Sequence, residues 1–320
     1  MMKREWKEAA AAVVMGLLVP YILLNAAALW FQKPDPYTNE PETTAPEQPE
    51  DVQIKVLVGD RLKTMGLEEY LTGVVLGEMP ASFELEALKA QAVVARTYTL
   101  RRWESGSKHI NADICTDPSC CQAYQNPDSY TGSRELVDKV RSAVKDTWGM
   151  VLTYEGALIE ATYFSSSGGR TEDAQAVWGS DLPYLQATDS PEDGYAEKYM
   201  HTVSFTADEF RNALDRKLTG DCTEWFGNTT YTNGGGVDTM VIGGREYAGT
   251  ELRQLLGLRS TAFTVSVFEN RITITTRGYG HRVGMSQYGA EAMAVAGNTF
   301  DEILSHYYQG TVLEEYIDNG

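Results

Sequence analysis

Glu78 stands in an unusual place for a carboxylate. In the run LEEYLTGVVLGE, residues 67–78, apolar side chains recur at Leu67, Tyr70, Leu71, Val74 and Val75, and the next position on that helical face is Glu78. Pro80 follows, and the residue before a proline is biased out of the helical region, so the spacing predicts a helix that ends at Glu78 with the carboxyl group turned toward the core. Desolvation there disfavours the charged form and raises the pKa, which suits a general acid working near neutral pH. The competing reading is a helix-end carboxylate that turns to solvent or pairs with an arginine.

A second constellation lies in HINADICTDPSCCQAY, which brings His109, Cys115, Cys120 and Cys121 into one short stretch. Three thiols and an imidazole so close together can close a tetrahedral zinc site with no open coordination position, which would make the metal structural. The alternative is disulfides. Adjacent Cys120 and Cys121 are poorly placed to bond to each other, so two disulfides would require Cys222 to reach the cluster.

Two later motifs could bind rather than react. In ATYFSSSGGRTEDAQAVW an apolar strand containing Tyr163 runs into Ser165, Ser166, Ser167, Gly168 and Gly169, where small hydroxyls and backbone amides could line a sugar site. Neither the phosphate-loop pattern nor the Gly-x-Ser-x-Gly nucleophile elbow is present there. In RGYGHRVGMSQYGAEA, glycines alternate with Tyr279, His281, Gln287 and Tyr288 before a helix begins, a composition suited to stacking on sugar rings and bonding their hydroxyls. A lone histidine such as His281 is equally readable as a packed structural residue. Arg96, among the small residues of ELEALKAQAVVARTYTLRR, could hold a substrate or form an internal salt bridge.

These residues need a scaffold. The helix ending at Glu78 and a second one over 84–102, whose Ala87, Ala90, Ala92 and Ala95 permit close approach, make a helical part. Glycine-punctuated β-branched runs dominate the second half, including a hairpin expected around Glu269 and Asn270. The fold class expected is therefore α+β: a helical part carrying Glu78, and antiparallel strands framing a groove. With 320 residues, 42% of them hydrophobic, the chain can bury a substantial core. Its net charge of −18 argues against nucleic acid as a partner.

The N-terminus is organised differently. Residues 9–32 carry no charge, follow Lys3, Arg4 and Lys7, and end at Trp30 and Phe31, the pattern of a transmembrane anchor with a cytoplasmic N-terminus. A cleaved signal peptide ending near Ala26, Ala27 and Ala28 is the rival; either places the remainder outside the cytoplasm. Residues 33–53, rich in Pro, Glu and Thr, read as an unfolded linker, and 54–320 as the folded domain.

Taken in order, LGEMPASFELEALKAQAVVARTYTL, YFSSSGGRTEDAQAVWG and GYGHRVGMSQYGAEAMA resemble the stage II sporulation protein D family over roughly residues 54–312. The resemblance implies a membrane-bound lytic transglycosylase that cleaves peptidoglycan glycan strands lacking stem peptides during engulfment, at the bond following N-acetylmuramic acid, with a 1,6-anhydro product. It places the catalytic acid/base at Glu78 of Glu78-Met79-Pro80 and a functional arginine at Arg96. It also implies engulfment partners such as stage II sporulation proteins P and M. Some members carry a zinc site of two histidines and two cysteines. Here that spacing falls on His109, Cys115, Cys120 and Cys121, with Cys120 in place of the second histidine, still four competent zinc ligands. Two other functions stay open. An inverting glycoside hydrolase would need a second carboxylate, for which Glu84, Glu86, Asp113 and Glu172 are candidates. A non-catalytic glycan-binding amidase enhancer would need none.

Overall fold

The computed structural model describes residues 51–191 and 200–317. The expected anchor and nearly all of the expected linker lie outside the described residues. Among the described residues no helix is long and apolar enough to cross a membrane.

Strand β1 (Gln53–Val58) pairs antiparallel with β2 (Arg61–Gly66) and parallel with the short β3 (Ile114–Cys115). The chain then enters α1 (Leu67–Glu78), where the Asp51 carboxylate accepts from the Glu68 amide at 3.1 Å and satisfies one open N–H of the first turn. The stripe of Leu67, Tyr70, Leu71, Val74 and Val75 is buried, as its spacing requires. Helix α2 (Leu85–Glu104) runs through the middle of this core, and its four alanines, all fully buried, let α1 and α3 (Arg134–Asp146) pack close. Around it lie the antiparallel sheet of β4 (Met150–Tyr154), β5 (Ala157–Leu158) and, from the far end of the chain, β14 (Val312–Glu315). Strand β6 (Tyr163–Phe164) precedes α4 (Ala174–Trp178).

The chain then builds a second core. Strand β7 (Met200–Thr206), helix α5 (Ala207–Ala213), strands β8 (Phe226–Tyr231), β9 (Val237–Ile242) and β10 (Arg245–Ala248), helix α6 (Gly249–Leu255), and strands β11 (Phe263–Phe268) and β12 (Arg271–Arg277) form two three-stranded antiparallel sheets, β11-β12-β7 and β10-β9-β8. Phe210, Trp225, Tyr247, Leu252, Ile272 and Ile274 fill the space between them. The β11–β12 turn is made by Glu269 and Asn270, both at positive φ (45° and 60°), the geometry that matches a two-residue turn to the twist of its strands. The chain returns to the first core with β13 (Met285–Ser286), parallel to β6, then α7 (Gln287–Val295) and α8 (Phe300–Tyr307). The fold is α+β, with antiparallel sheets and two short parallel pairings.

Two buried ion pairs brace this architecture. Arg96 on α2, fully buried, forks onto Glu68 of α1 (2.7 and 2.6 Å) and donates to the carbonyls of Met150 and Val144. Arg282, held at a φ of 68°, donates to Glu172 at 2.9 Å and to the carbonyls of Ser167, Arg170 and Gly234. The same Glu172 oxygen accepts from Thr232 and the Gly236 amide, so this pair ties the β8–β9 turn to the first core. A Cβ on Gly234 or Gly236 would lie 2.4 or 2.3 Å from the Glu172 carboxylate, which is why the turn reads GGG. Breaking a buried pair strands its partner's charge. Arg96→Ala is therefore expected to destabilise the fold by about 3–5 kcal/mol, far beyond an ordinary surface substitution. Denaturant unfolding measures it, and a loss below about 1 kcal/mol would show the pair to be dispensable.

Candidate active site

Glu78 ends α1 and points into a cavity of about 720 Å³ whose wall also includes Tyr163, Ser165, Trp178, Tyr279 and His281. Oε1 of Glu78 receives two donors, the Ala123 amide at 2.6 Å and the Tyr163 hydroxyl at 3.0 Å, and the Gln287 side chain adds a third hydrogen bond. All three favour the ionised carboxylate. Burial outweighs them, and the Glu78 pKa is raised above the usual carboxylate value. The helix-face reading of the sequence is the geometry found.

The donors are themselves positioned. Gln122 donates to the Tyr163 hydroxyl at 3.1 Å, and its carbonyl oxygen lies 2.8 Å from Thr99 Oγ1 and 3.4 Å from the Tyr70 hydroxyl. The pairing of β6 with β13 sets Tyr163 opposite Met285, two residues before Gln287. The 122–125 segment can lie against α1 because two glycines, one helical turn apart, clear the surface. A Cβ on Gly73 would meet the Tyr124 ring at 2.1 Å, and one on Gly77 would meet the Tyr124 amide at 2.7 Å.

His281 is half-covered between the Phe164 and Trp178 rings, with centroids 5.6 and 5.2 Å away. Its Nδ1 accepts from the Val283 amide, and it also bonds the Tyr163 backbone. Burial, with the Arg253 charge as a smaller cause, pushes its pKa down to about 4, so it is neutral at neutral pH. With its hydrogen bonds spent on backbone, the ring holds Trp178 and Tyr163 in place rather than exchanging protons.

The remaining residues singled out in the sequence are distributed more widely. Ser166 and Ser167 are fully buried behind the wall, where Ser166 makes a backbone bridge to Tyr279. Gly168 and Gly169 form a positive-φ turn beside β12, away from Glu78. Tyr288 packs edge-on against Phe83 at 5.1 Å. Arg96 does not reach the cavity; its guanidinium is consumed by Glu68 and two carbonyls. None of Glu84, Glu86, Asp113 or Glu172 lines the cavity either. Among the described residues the acid that lines it beside Glu78 is Glu160, which sequence reading passed over. It is gripped by Arg101 at 3.0 Å and Arg102 at 2.5 Å, both also in the wall. Their places, near the end of α2 and in the loop between β5 and β6, gave no periodic signal. Gln122 was equally hidden, although it follows the cysteine pair directly.

The cysteine cluster is the wall's neighbour. The donor atoms of His109, Cys115, Cys120 and Cys121 all lie within 4.8 Å of one another. His109 Nε2 is 3.4 Å from Cys121 Sγ and 3.7 Å from Cys120 Sγ, and those two sulfurs are 4.0 Å apart. Tetrahedral coordination with Zn–S near 2.3 Å sets ligand atoms about 3.8 Å apart, so this donor set fits zinc. Cys222 is buried in the second core, beside Asn270, and does not join the cluster. Pairing of β3 with β1 anchors Cys115, and Cys121 touches the cavity one residue before Gln122 and two before Ala123.

Comparison with known proteins finds a match of residues 59–154 to the family model described as stage II sporulation protein. The chain is 41% identical over 280 residues to stage II sporulation protein D of Bacillus subtilis (strain 168), covering 85% of this chain and 81% of that one. It is 41% identical over 286 residues to the protein of the same name from Bacillus amyloliquefaciens, covering 87% and 83%. A Bacillus subtilis protein named amidase enhancer is 32% identical over 307 residues, covering 77% of this chain and 40% of that one.

Proposed function

From the premise that the chain belongs to the stage II sporulation protein D family, we propose that it processes cell wall during sporulation as a lytic transglycosylase acting on peptidoglycan glycan strands freed of stem peptides. The observation that carries this is one carboxyl group, Glu78, in a cavity wall, its pKa raised by burial and its Oε1 filled by two donors. The acid proton then sits on Oε2. Glu78 gives that proton to the glycosidic oxygen that follows N-acetylmuramic acid, and the C1–O bond breaks as positive charge develops at C1. The resulting Glu78 carboxylate takes the proton of the same sugar's C6 hydroxyl, and O6 bonds to C1. The products are a 1,6-anhydro end and a strand with a free 4-hydroxyl; no water is consumed and Glu78 ends protonated, as it began. Trp178 and Tyr279, 42% and 39% exposed, offer aromatic faces for sugar rings.

Glu160 supports a second reading, since a hydrolase needs two carboxyl groups. Against it, both Glu160 oxygens are engaged by guanidiniums and would have to leave them to act. The relative named amidase enhancer favours a third, a glycan-binding activator without catalysis. Mass spectrometry of the products from stem-peptide-free glycan separates them: anhydro ends support the proposal, reducing ends indicate the hydrolase, and an intact strand the activator.

His109, Cys115, Cys120 and Cys121 are proposed to hold one structural zinc ion, whose binding would order a loop poor in apolar surface. The charge-free run 9–32 is proposed to anchor the chain with residues 54–320 outside the cytoplasm, near engulfment proteins such as stage II sporulation proteins P and M. Recovery of a soluble mature chain beginning near Leu29 would show signal cleavage instead.

A further inference from the structure

Tyr279 lines the cavity that holds Glu78 and also walls a second cavity of about 760 Å³. Its other walls come from α6 and the turn after it, with Thr250, Arg253, Gln254, Leu258 and Arg259, and from His201 of β7. Among the described residues no acidic side chain lines it, in a chain whose net charge is −18. Arg253 is partly buried, and Arg259 lays its guanidinium over the Tyr279 ring at 5.6 Å. Glu251, the acid of α6, is drawn away into a pair with Arg245 at 2.9 Å. Among the described residues neither Arg253 nor Arg259 has a carboxylate partner within salt-bridge distance.

Partial burial of a guanidinium with no counter-charge is unfavourable, and desolvation lowers the pKa of Arg253. Two guanidiniums lining one cavity are suited to an anion, and their planar forks match a carboxylate. The glycan strand proposed above offers one. Removing the stem peptide converts the lactyl amide of N-acetylmuramic acid into a free carboxylate, whereas a peptide-bearing residue presents a neutral, bulky amide at the same place. We propose that the second cavity is a carboxylate-binding subsite continuous with the first, in which Arg253 and Arg259 hold the lactyl carboxylate of a peptide-free muramyl residue while Tyr279 supports the sugar between the two cavities. This rests on the reading of the substrate as peptidoglycan glycan, and it makes Arg253 and Arg259 the groups that distinguish stripped strands from intact ones.

The test uses the full-length protein carrying Glu78→Gln, so that strands bind without being cut. It is titrated with a tetrasaccharide of alternating N-acetylglucosamine and N-acetylmuramic acid bearing free lactyl carboxylates, and with chitotetraose, which has the same backbone and no carboxylate. The carboxylated strand is expected to bind about tenfold tighter. Adding Arg253→Gln and Arg259→Gln should bring the ratio of the two affinities close to one. Persistence of the preference in that variant, or its absence in the parent, overturns the subsite. Should the glutamine pair lose chitotetraose binding as well, the single variants Arg253→Gln and Arg259→Gln decide: a preference reduced in either supports the subsite, and a preference intact in both overturns it. Product analysis with Glu78 intact tests the chemistry separately. Anhydro products without an arginine-dependent preference would remove the subsite and leave the cleavage reading standing; arginine-dependent binding without cleavage would do the reverse.

Discussion

Glu78→Gln is expected to fold as the parent does and to cleave stem-peptide-free glycan at least about 10³-fold more slowly, the scale of a lost general acid/base. The fold should survive because an amide oxygen can accept from Ala123 and Tyr163 as Oε1 does. The chemistry should not, because an amide has no proton to give. The raised pKa of Glu78 also sets the pH dependence. The protonated acid is the active form, so cleavage should fall as pH rises through that value. Stability follows with the same sign: a carboxyl group whose folded pKa lies above its unfolded one loses stabilisation as pH rises between the two. The glutamine variant has no such loss, and should melt at or above the parent's temperature at higher pH, with the gap closing in acid. Tyr163→Phe removes a donor that favours ionisation of Glu78; it should slow turnover by about tenfold and move the alkaline limb of the profile upward. A well-folded Glu78→Gln protein with near-normal turnover would sink the assignment.

Removal of metal should be the second large effect. Protein purified under reducing conditions without chelator is expected to carry one zinc per chain. Stripping it, or replacing Cys121 with Ser, should lower the melting temperature by more than about 5 °C. Activity should fall with it by more than about tenfold, because the cluster leads directly into Gln122 and Ala123, the residues that orient Tyr163 and bond Glu78. Elemental analysis beside a melting curve and a turnover assay reads all three. Zinc below about 0.2 per chain, with a disulfide mapped among Cys115, Cys120 and Cys121, would overturn the metal in favour of oxidised thiols.

What could be read from the sequence was what local periodicity encodes. The α1 stripe put Glu78 on the core side, the four alanines of α2 announced close packing, and Glu269 and Asn270 marked the hairpin. The cysteine spacing kept its donors together, and the structure leaves Cys222 in the other core. Pairings across long stretches of chain were not legible. Arg96 was readable both as a substrate ligand and as half of an internal salt bridge, because nothing in a one-dimensional pattern says that Glu68, beside α1's apolar stripe, would be its partner. Glu172 was a candidate second acid until Arg282 and the 232–236 turn closed over it. Ser166 and Ser167 have the composition of a binding loop, yet backbone pairing to Tyr279 turns them inward. Glu160 and Gln122 were passed over because their roles depend on arginines and a tyrosine supplied by other elements.

Glu78 lies early in the chain, and its partners do not. Ala123 and Tyr163 follow at separations of 45 and 85 residues, and Gln287 arrives near the C-terminus on the strand–helix step that β6 and β13 hold in register. The residues of the whole second core lie in sequence between Glu172 and Arg282, which pair across 110 residues. Contacts this distant in sequence close late, since loop entropy is lost before they repay it. A chain emerging N-terminus first therefore displays Glu78 long before the last of its hydrogen-bond partners. Without Gln287, and without β13 to set Tyr163, Glu78 lacks two of the three hydrogen-bond partners that orient it. The order of synthesis thus leaves the surroundings of Glu78 incomplete until the last of the described helices has docked.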